Sequence, residues 1–296
     1  MLKLSRCILF ILFLPLFMEA QGFSLTDDLG KSIQFNRNPN RVISLAPNIT
    51  EMLFKLNKQD ILVGNTTFCY YPEEAKQVNK VGDLLTVNYE RIIELNPDLI
   101  LLTVEGNQKS VYDKLVNLGF NLFVSNPRDY NGIKKTYLDM GKIFDRQEFV
   151  EMEIAKWDST FNYIEKEAVS FTPQTVMILV ELNPIMVAGK NTFINTYIET
   201  CNMNNFAEDL LLNYPVFSRE VVIERDPYII VYPSSGKENI KTLTDMYPEW
   251  SSLSAIKNNR VLFVDRDLYF RPGPRFIEAL EDFYYKLLAV MKVRHK

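Results

Sequence analysis

Short apolar runs bounded by turn residues recur along the first half of the chain: RVISLA at 41–46, ILVG at 61–64, DLILLT at 98–103 and NLFVS at 121–125. Each is shorter than a typical globular helix and reads as a buried strand. A hairpin-like segment over 24–35, turning at Asp28-Leu29-Gly30, precedes them. Between the runs, apolar residues at helical spacing over 50–56, 88–95 and 110–118 predict helices. Strands alternating with helices predict an α/β unit whose mostly parallel sheet is covered on both faces. The same grammar restarts after Pro173 with TVMILVEL at 175–182, IMVAG at 185–189, YIIVYP at 228–233 and RVLFVD at 260–265.

Between these halves, Val150, Ile154, Trp157, Phe161, Ile164 and Ala168 form one helical stripe over 146–169, uninterrupted by Pro or Gly. Such a helix would be about 35 Å long at 1.5 Å per residue. It is either a core helix of one large domain or a rigid strut between two lobes, since a flexible linker would be rich in Gly, Ser or Pro. An internal echo favours two lobes. VNYERIIELNPDLILLT at 87–103 lines up without gaps with FSREVVIERDPYIIVYP at 217–233, matching Glu90 with Glu220, Glu94 with Glu224 and Pro97 with Pro227. Each copy reads as cap residue, short helix, Pro turn and buried strand, so the two helix ends should be exposed at equivalent places.

The N-terminus adds a compartment. Lys3 and Arg6 precede an apolar run over 8–18 broken only by Pro15, and Ala20 offers a small-residue cleavage site before Gln21, the pattern of a cleaved signal peptide over 1–20. The other reading is a membrane anchor, but the run reaches only ~16 Å as a helix, about half of a ~30 Å hydrocarbon core. Lipoprotein attachment would need a cysteine just after the run, whereas Cys7 comes before it. Charge is nearly balanced, 33 basic against 37 acidic side chains, and no basic block stands out, which argues against a nucleic-acid partner. The one histidine, His295, lies at the extreme C-terminus, which excludes Ser-His-Asp triads, Cys-His pairs and zinc hydrolases. Cys69 and Cys201, the cysteines beyond the signal segment, are assigned to different halves and make no disulfide framework.

RVISLAPNITEMLFKL at 41–56, NYERIIELNPDLIL at 88–101, SREVV at 218–222 with Pro227 beyond it, and RPGPRFIEAL at 271–280 resemble the periplasmic solute-binding proteins of ABC importers. The resemblance is to the class that takes vitamin B12, ferric siderophores and haem, and it runs over most of the chain. It implies two α/β lobes, 21–145 and 171–296, joined by one long rigid helix over 146–170, with the ligand held between them. It also implies a periplasmic, non-enzymatic, monomeric protein without a resident cofactor or metal site, any cobalt or iron arriving with the ligand. Its partner would be an inner-membrane permease, and the family's docking glutamates fall on Glu90 and Glu220. Each also sits two residues after a capping type, Asn88 or Ser218, where the helix dipole alone favours a carboxylate.

Loops after the strands of both lobes should build the cleft. They put forward Pro47, Asn48, Phe68, Tyr70 and Tyr71 with the loop 103–107 on one side, and Met186, Tyr214, Asp267, Tyr269 and Arg271 on the other. An aromatic-rich cleft suits a large, flat, partly apolar chelate. Any one of these tyrosines could equally be an ordinary half-buried residue, and RPGPR could simply start the last helix. Where B12 binders carry tryptophans this chain aligns Leu84, Thr103, Tyr214 and Leu268, and neither Trp157 nor Trp250 falls on a cleft loop. Haem is the variant ligand, with Tyr70 or Tyr71 as an axial phenolate. An exported carboxylate-dependent hydrolase, using Asp267 and Glu105, is the rival from another class, and a ligand sensor that never meets a permease is a third reading.

Overall fold

The structure, a computed structural model, describes residues 22–84 and 86–292. The expected signal segment, with Cys7, and His295 lie outside the described residues. The described residues open with an antiparallel hairpin, β1 (Phe23–Thr26) and β2 (Ser32–Phe35), whose turn has Gly30 at φ 80°. The first α/β unit follows: β3 (Val42–Ser44), α1 (Pro47–Lys55), β4 (Leu62–Asn65), α2 (Tyr89–Leu95), β5 (Leu99–Thr103), α3 (Lys109–Asn117), β6 (Leu122–Ser125) and α4 (Tyr130–Ile143). Its sheet runs β4-β3-β5-β6, all parallel. One helix, α5 (Gln147–Ala168), then carries the chain to the second unit.

That unit comprises β7 (Thr175–Glu181), β8 (Ile185–Val187), α6 (Asn195–Thr200), β9 (Asn204–Asn205), β10 (Val216–Phe217), α7 (Arg219–Arg225), β11 (Ile229–Ser234), α8 (Ile240–Met246), α9 (Ser254–Lys257), β12 (Val261–Asp265), α10 (Arg266–Tyr269) and α11 (Phe276–Lys292). Its sheet is mixed. β9 and β11 flank β7 in parallel and β12 extends β11, but β8 and β10 pair antiparallel. The IMVAG run therefore does not continue the parallel pattern: only three residues separate it from β7, enough for a hairpin and far too few for a crossover.

Alternation along the strands explains how both sheet faces are covered. Val42, Leu99, Leu101, Phe123, Val176, Ile178, Ile229 and Val231 point into one continuous core that runs through both units. Ile43, Ile100, Leu102, Leu122 and Val124 face a separate cluster under α2 and α3, and Met177, Leu179 and Ile230 face another with Trp250 at its centre. α5 supplies Val150, Trp157, Ile164 and Ala168 to the shared core, with Ile154 and Phe161 packed against it, so the stripe read in the sequence is the buried face. Trp157 stacks on Tyr137 at 5.2 Å and Phe161 on Tyr130 at 4.3 Å. The strut packs on α4 of the first unit and on α11 and α6 of the second, an arrangement that holds the two sheets to one geometry. Among the described residues, no helix is long and apolar enough to cross a membrane.

The internal echo is structural as well. Asn88 Oδ1 accepts from Arg91 N at 2.9 Å and Ser218 Oγ from Val221 N at 3.4 Å, so equivalent side chains cap α2 and α7. Both helices end on a left-handed residue, Asn96 at φ 44° and Asp226 at φ 38°, before the Pro turn that feeds β5 and β11. Glu90 and Glu220 stand exposed in the two first turns.

Candidate ligand-binding cleft

A cavity of about 440 Å³ lies between the two units, lined from both. Pro47 and Asn48 reach it from the start of α1, where Pro47 occupies the first helical turn and loses no hydrogen bond. Phe68 and Tyr70 come from the loop after β4. That loop is held by the Lys80 ammonium, which donates to Asn65 Oδ1 at 2.7 Å, Ala75 O at 3.0 Å and Cys69 O at 3.1 Å. Thr103 ends β5, Glu105 and Gly106 follow it, and Asn107 ties that loop to Leu45 O at 3.0 Å. The second unit contributes Val180, Phe193, Ile194, Tyr214, Arg266, Asp267, Phe270, Arg271 and Pro272.

Beside the cavity the units are clamped together. Glu51, on α1 and only 3% exposed, accepts from Arg271 Nη1 at 2.9 Å and from Arg275 Nε and Nη2 at 2.8 and 2.9 Å. Arg275 is a two-point partner, the geometry in which a guanidinium binds a carboxylate best. Asn48 Nδ2 donates across to Pro272 O at 3.2 Å. A Cβ at Gly273 would stand 3.3 Å from Asn48 Cβ and 3.4 Å from its Cα, so a side chain there would press on α1 where the RPGPR segment passes close to it.

Two tyrosine bonds span the cleft. Tyr70 donates to Asp267 Oδ1 at 2.8 Å, and Tyr214 donates to Glu105 Oε2 at 3.1 Å. Each carboxylate also has its own arginine: Arg271 Nη2 lies 2.9 Å from Asp267 Oδ1, and Arg128 pairs with Glu105. The Arg271 guanidinium lies 4.6 Å from the centre of the Tyr70 ring. Burial, then the bond to Asp267, raises the Tyr70 phenol above its ordinary value. Burial and the charge of Glu105 do the same to Tyr214. Both phenols are therefore held protonated.

Of the residues put forward from the sequence, Pro47, Asn48, Phe68, Tyr70, Tyr214, Asp267 and Arg271 line this cavity, as do Leu84 and Thr103. Three do not. Tyr71 faces a different hollow beside the clamp, with Arg275 3.8 Å above its ring, because neighbouring loop residues point opposite ways. Tyr269 is 1% exposed and donates to Asp282 at 2.6 Å, an apolar ring with a satisfied hydroxyl inside the core. Met186 is a half-buried strand residue of β8 paired with Val216. Leu268 packs against the core.

Sequence reading missed Glu51, Arg128, Arg266, Phe193 and Arg275. A charge set within the apolar stretch of α1 was a signal for Glu51, but nothing in the chain connects it to arginines more than 200 residues away. Cys69 and Cys201 are buried free thiols. Among the described residues no group of His, Cys, Asp and Glu is placed to hold a metal ion.

A family model described as periplasmic binding protein matches residues 42–268. An uncharacterized ABC transporter substrate-binding lipoprotein of Bacillus subtilis is 28% identical over 271 residues, 89% of this chain and 85% of the relative. A vitamin B12-binding protein of Photorhabdus laumondii is 26% identical over 250 residues, 84% of this chain and 88% of the relative. Among solved structures, the periplasmic vitamin B12 binding protein of Vibrio cholerae superposes with a TM-score of 0.77 at 25% identity, covering 86% of this chain and 99% of that one.

Proposed function

Because the chain belongs to the periplasmic binding protein family, we propose that it captures a cobalamin-like or ferric-siderophore-like chelate between its lobes and delivers it to an inner-membrane permease. It is a binding protein of the ABC import type and not an enzyme. The chelate reading is supported above all by the cavity itself, which takes aromatic and aliphatic walls from both units and a few polar groups at its edges, the composition of a site for a large, partly apolar ligand. In this reading Pro47, Asn48, Phe68, Tyr70, Tyr214, Asp267 and Arg271 contact the ligand. Glu90 and Glu220, at equivalent exposed helix starts, dock onto the permease. The mature protein is a monomer in the periplasm, exported by the segment 1–20.

The haem variant finds less support in the cleft. It needs a phenolate facing the cavity, whereas Tyr71 lies outside, and Tyr70 is protonated and engaged with Asp267. The hydrolase reading is dropped: the family is one of binding proteins, and Glu105 and Asp267 each already bond an arginine and a tyrosine.

The test is a calorimetric titration of the purified chain over 21–296 with cyanocobalamin, a ferric siderophore panel and haemin. Saturable one-to-one binding of a corrinoid or siderophore is expected. Silence with every chelate, in a folded protein, would contradict the reading.

A further inference from the structure

Resting on the chelate reading, we propose that Glu105 and Asp267 read hydrogen-bond donors on the ligand, and that Tyr214 and Tyr70 occupy those two positions while the cleft is empty. Each carboxylate lines the cavity and accepts a phenol from the opposite lobe, at 3.1 Å for Tyr214 to Glu105 and 2.8 Å for Tyr70 to Asp267. A body seated between the lobes comes between these partners. The phenol can turn to water, but the carboxylate is fixed in place by Arg128 or by Arg271. Glu105 Oε2, which has Tyr214 as its partner while Arg128 holds Oε1, then meets the ligand as an unpaired acceptor, costly in a closed site, whereas Asp267 Oδ1 keeps Arg271 and still offers the ligand only acceptor lone pairs.

An ionised carboxylate accepts and cannot donate. A ligand edged with amide or hydroxyl groups therefore replaces both phenols, while one edged with carboxylates or catecholate oxygens sets acceptor against acceptor. Among the described residues, Arg266 is the charged lining residue without an ion pair, and it is exposed, so the cleft has a place for one anionic group. The chemical class that fits is a chelate with donors on two opposite edges and no more than one negative group.

Four probes test this by calorimetry on the wild-type chain and on Glu105→Gln, Asp267→Asn and the double variant: cyanocobalamin, an amide-bearing ferric trihydroxamate, haemin and a ferric tris-catecholate. Wild type is expected to bind the better of the two amide-bearing probes at least about tenfold more tightly than haemin or the catecholate, and each substitution to move that ratio about tenfold toward the acidic probes. Asp267 also touches the interlobe clamp, so Glu105→Gln, which leaves the clamp intact, decides the matter if Asp267→Asn fails to fold. A wild-type preference for the catecholate, or a ratio unmoved by Glu105→Gln, overturns the inference and leaves the chelate reading standing, whereas a preference for haemin overturns the inference and turns the reading to the haem variant. Binding of none of the four overturns both.

Discussion

Glu51 concentrates the attachment of the two lobes in one side chain. It is buried, and both of its partners come from the other lobe. Glu51→Ala would leave Arg275 without a carboxylate and the buried Arg271 with Asp267 alone, so a loss of up to about 3–5 kcal/mol is expected in urea unfolding, as for other broken buried pairs. A loss below about 1 kcal/mol would show the clamp to be incidental. Cys201 carries a pH prediction. Burial pushes its thiol up to about 12, and a thiol whose pKa is raised in the folded state favours folding at pH values below its unfolded pKa. Stability should therefore decline as pH rises above about 9, where the unfolded thiol ionises and the folded one does not. The buried tyrosines, raised by the same cause, act in the same direction from about 10 upward. A thiol reagent at about pH 8 should label Cys201 only after unfolding; rapid labelling of the native protein would contradict this burial.

At the scale of elements, α5 does what its apolar stripe foretold, and the caps of α2 and α7 match as the repeat required. Those features are legible because a helix stripe, a cap and a Pro turn are local patterns. The antiparallel direction of β8 is not carried by its apolar pattern, since a run of three residues has no direction of its own; it is legible only from the short gap to β7, which allows a hairpin and not a crossover. The cleft is legible in the same measure: the segments that follow strands, helix starts included, place Asn48, Tyr70, Tyr214 and Asp267 at the cavity, while the orientation of Tyr71 and Tyr269 depends on how loops and helices pack. The stiffness of α5 can be tested where packing plays no part. Ala155 is exposed at mid-helix, so Ala155→Pro removes a backbone bond and kinks the strut, at a cost of about 3 kcal/mol. Ligand affinity should fall along with stability, because the lobes lose their register. Unchanged affinity in the folded variant would mean that the shared core, not the strut, fixes the cleft.

For the whole molecule, two lobes on one continuous core hold the cleft walls in place, so what yields to a ligand is the pair of cross-cleft tyrosine bonds rather than the lobes. The proposed docking can then be tested apart from binding, because Glu90 and Glu220 stand outside the cavity lining. The Ser218 hydroxyl, hydrogen-bonded to Glu220, holds that carboxyl below the usual range, so it stays charged well into mild acid. The double variant Glu90→Ala, Glu220→Ala is expected to abolish uptake in cells with chelate affinity unchanged. Normal uptake would assign both glutamates to capping alone. Ligand capture between the lobes is the claim on which the rest depends. Both described tryptophans are buried away from the cavity, so Leu84→Trp places one reporter inside it. Fluorescence of this variant, titrated with cyanocobalamin and the ferric chelates, should be quenched saturably at one ligand per chain, whereas binding seen by calorimetry with no change in the emission of the introduced indole would put the ligand elsewhere.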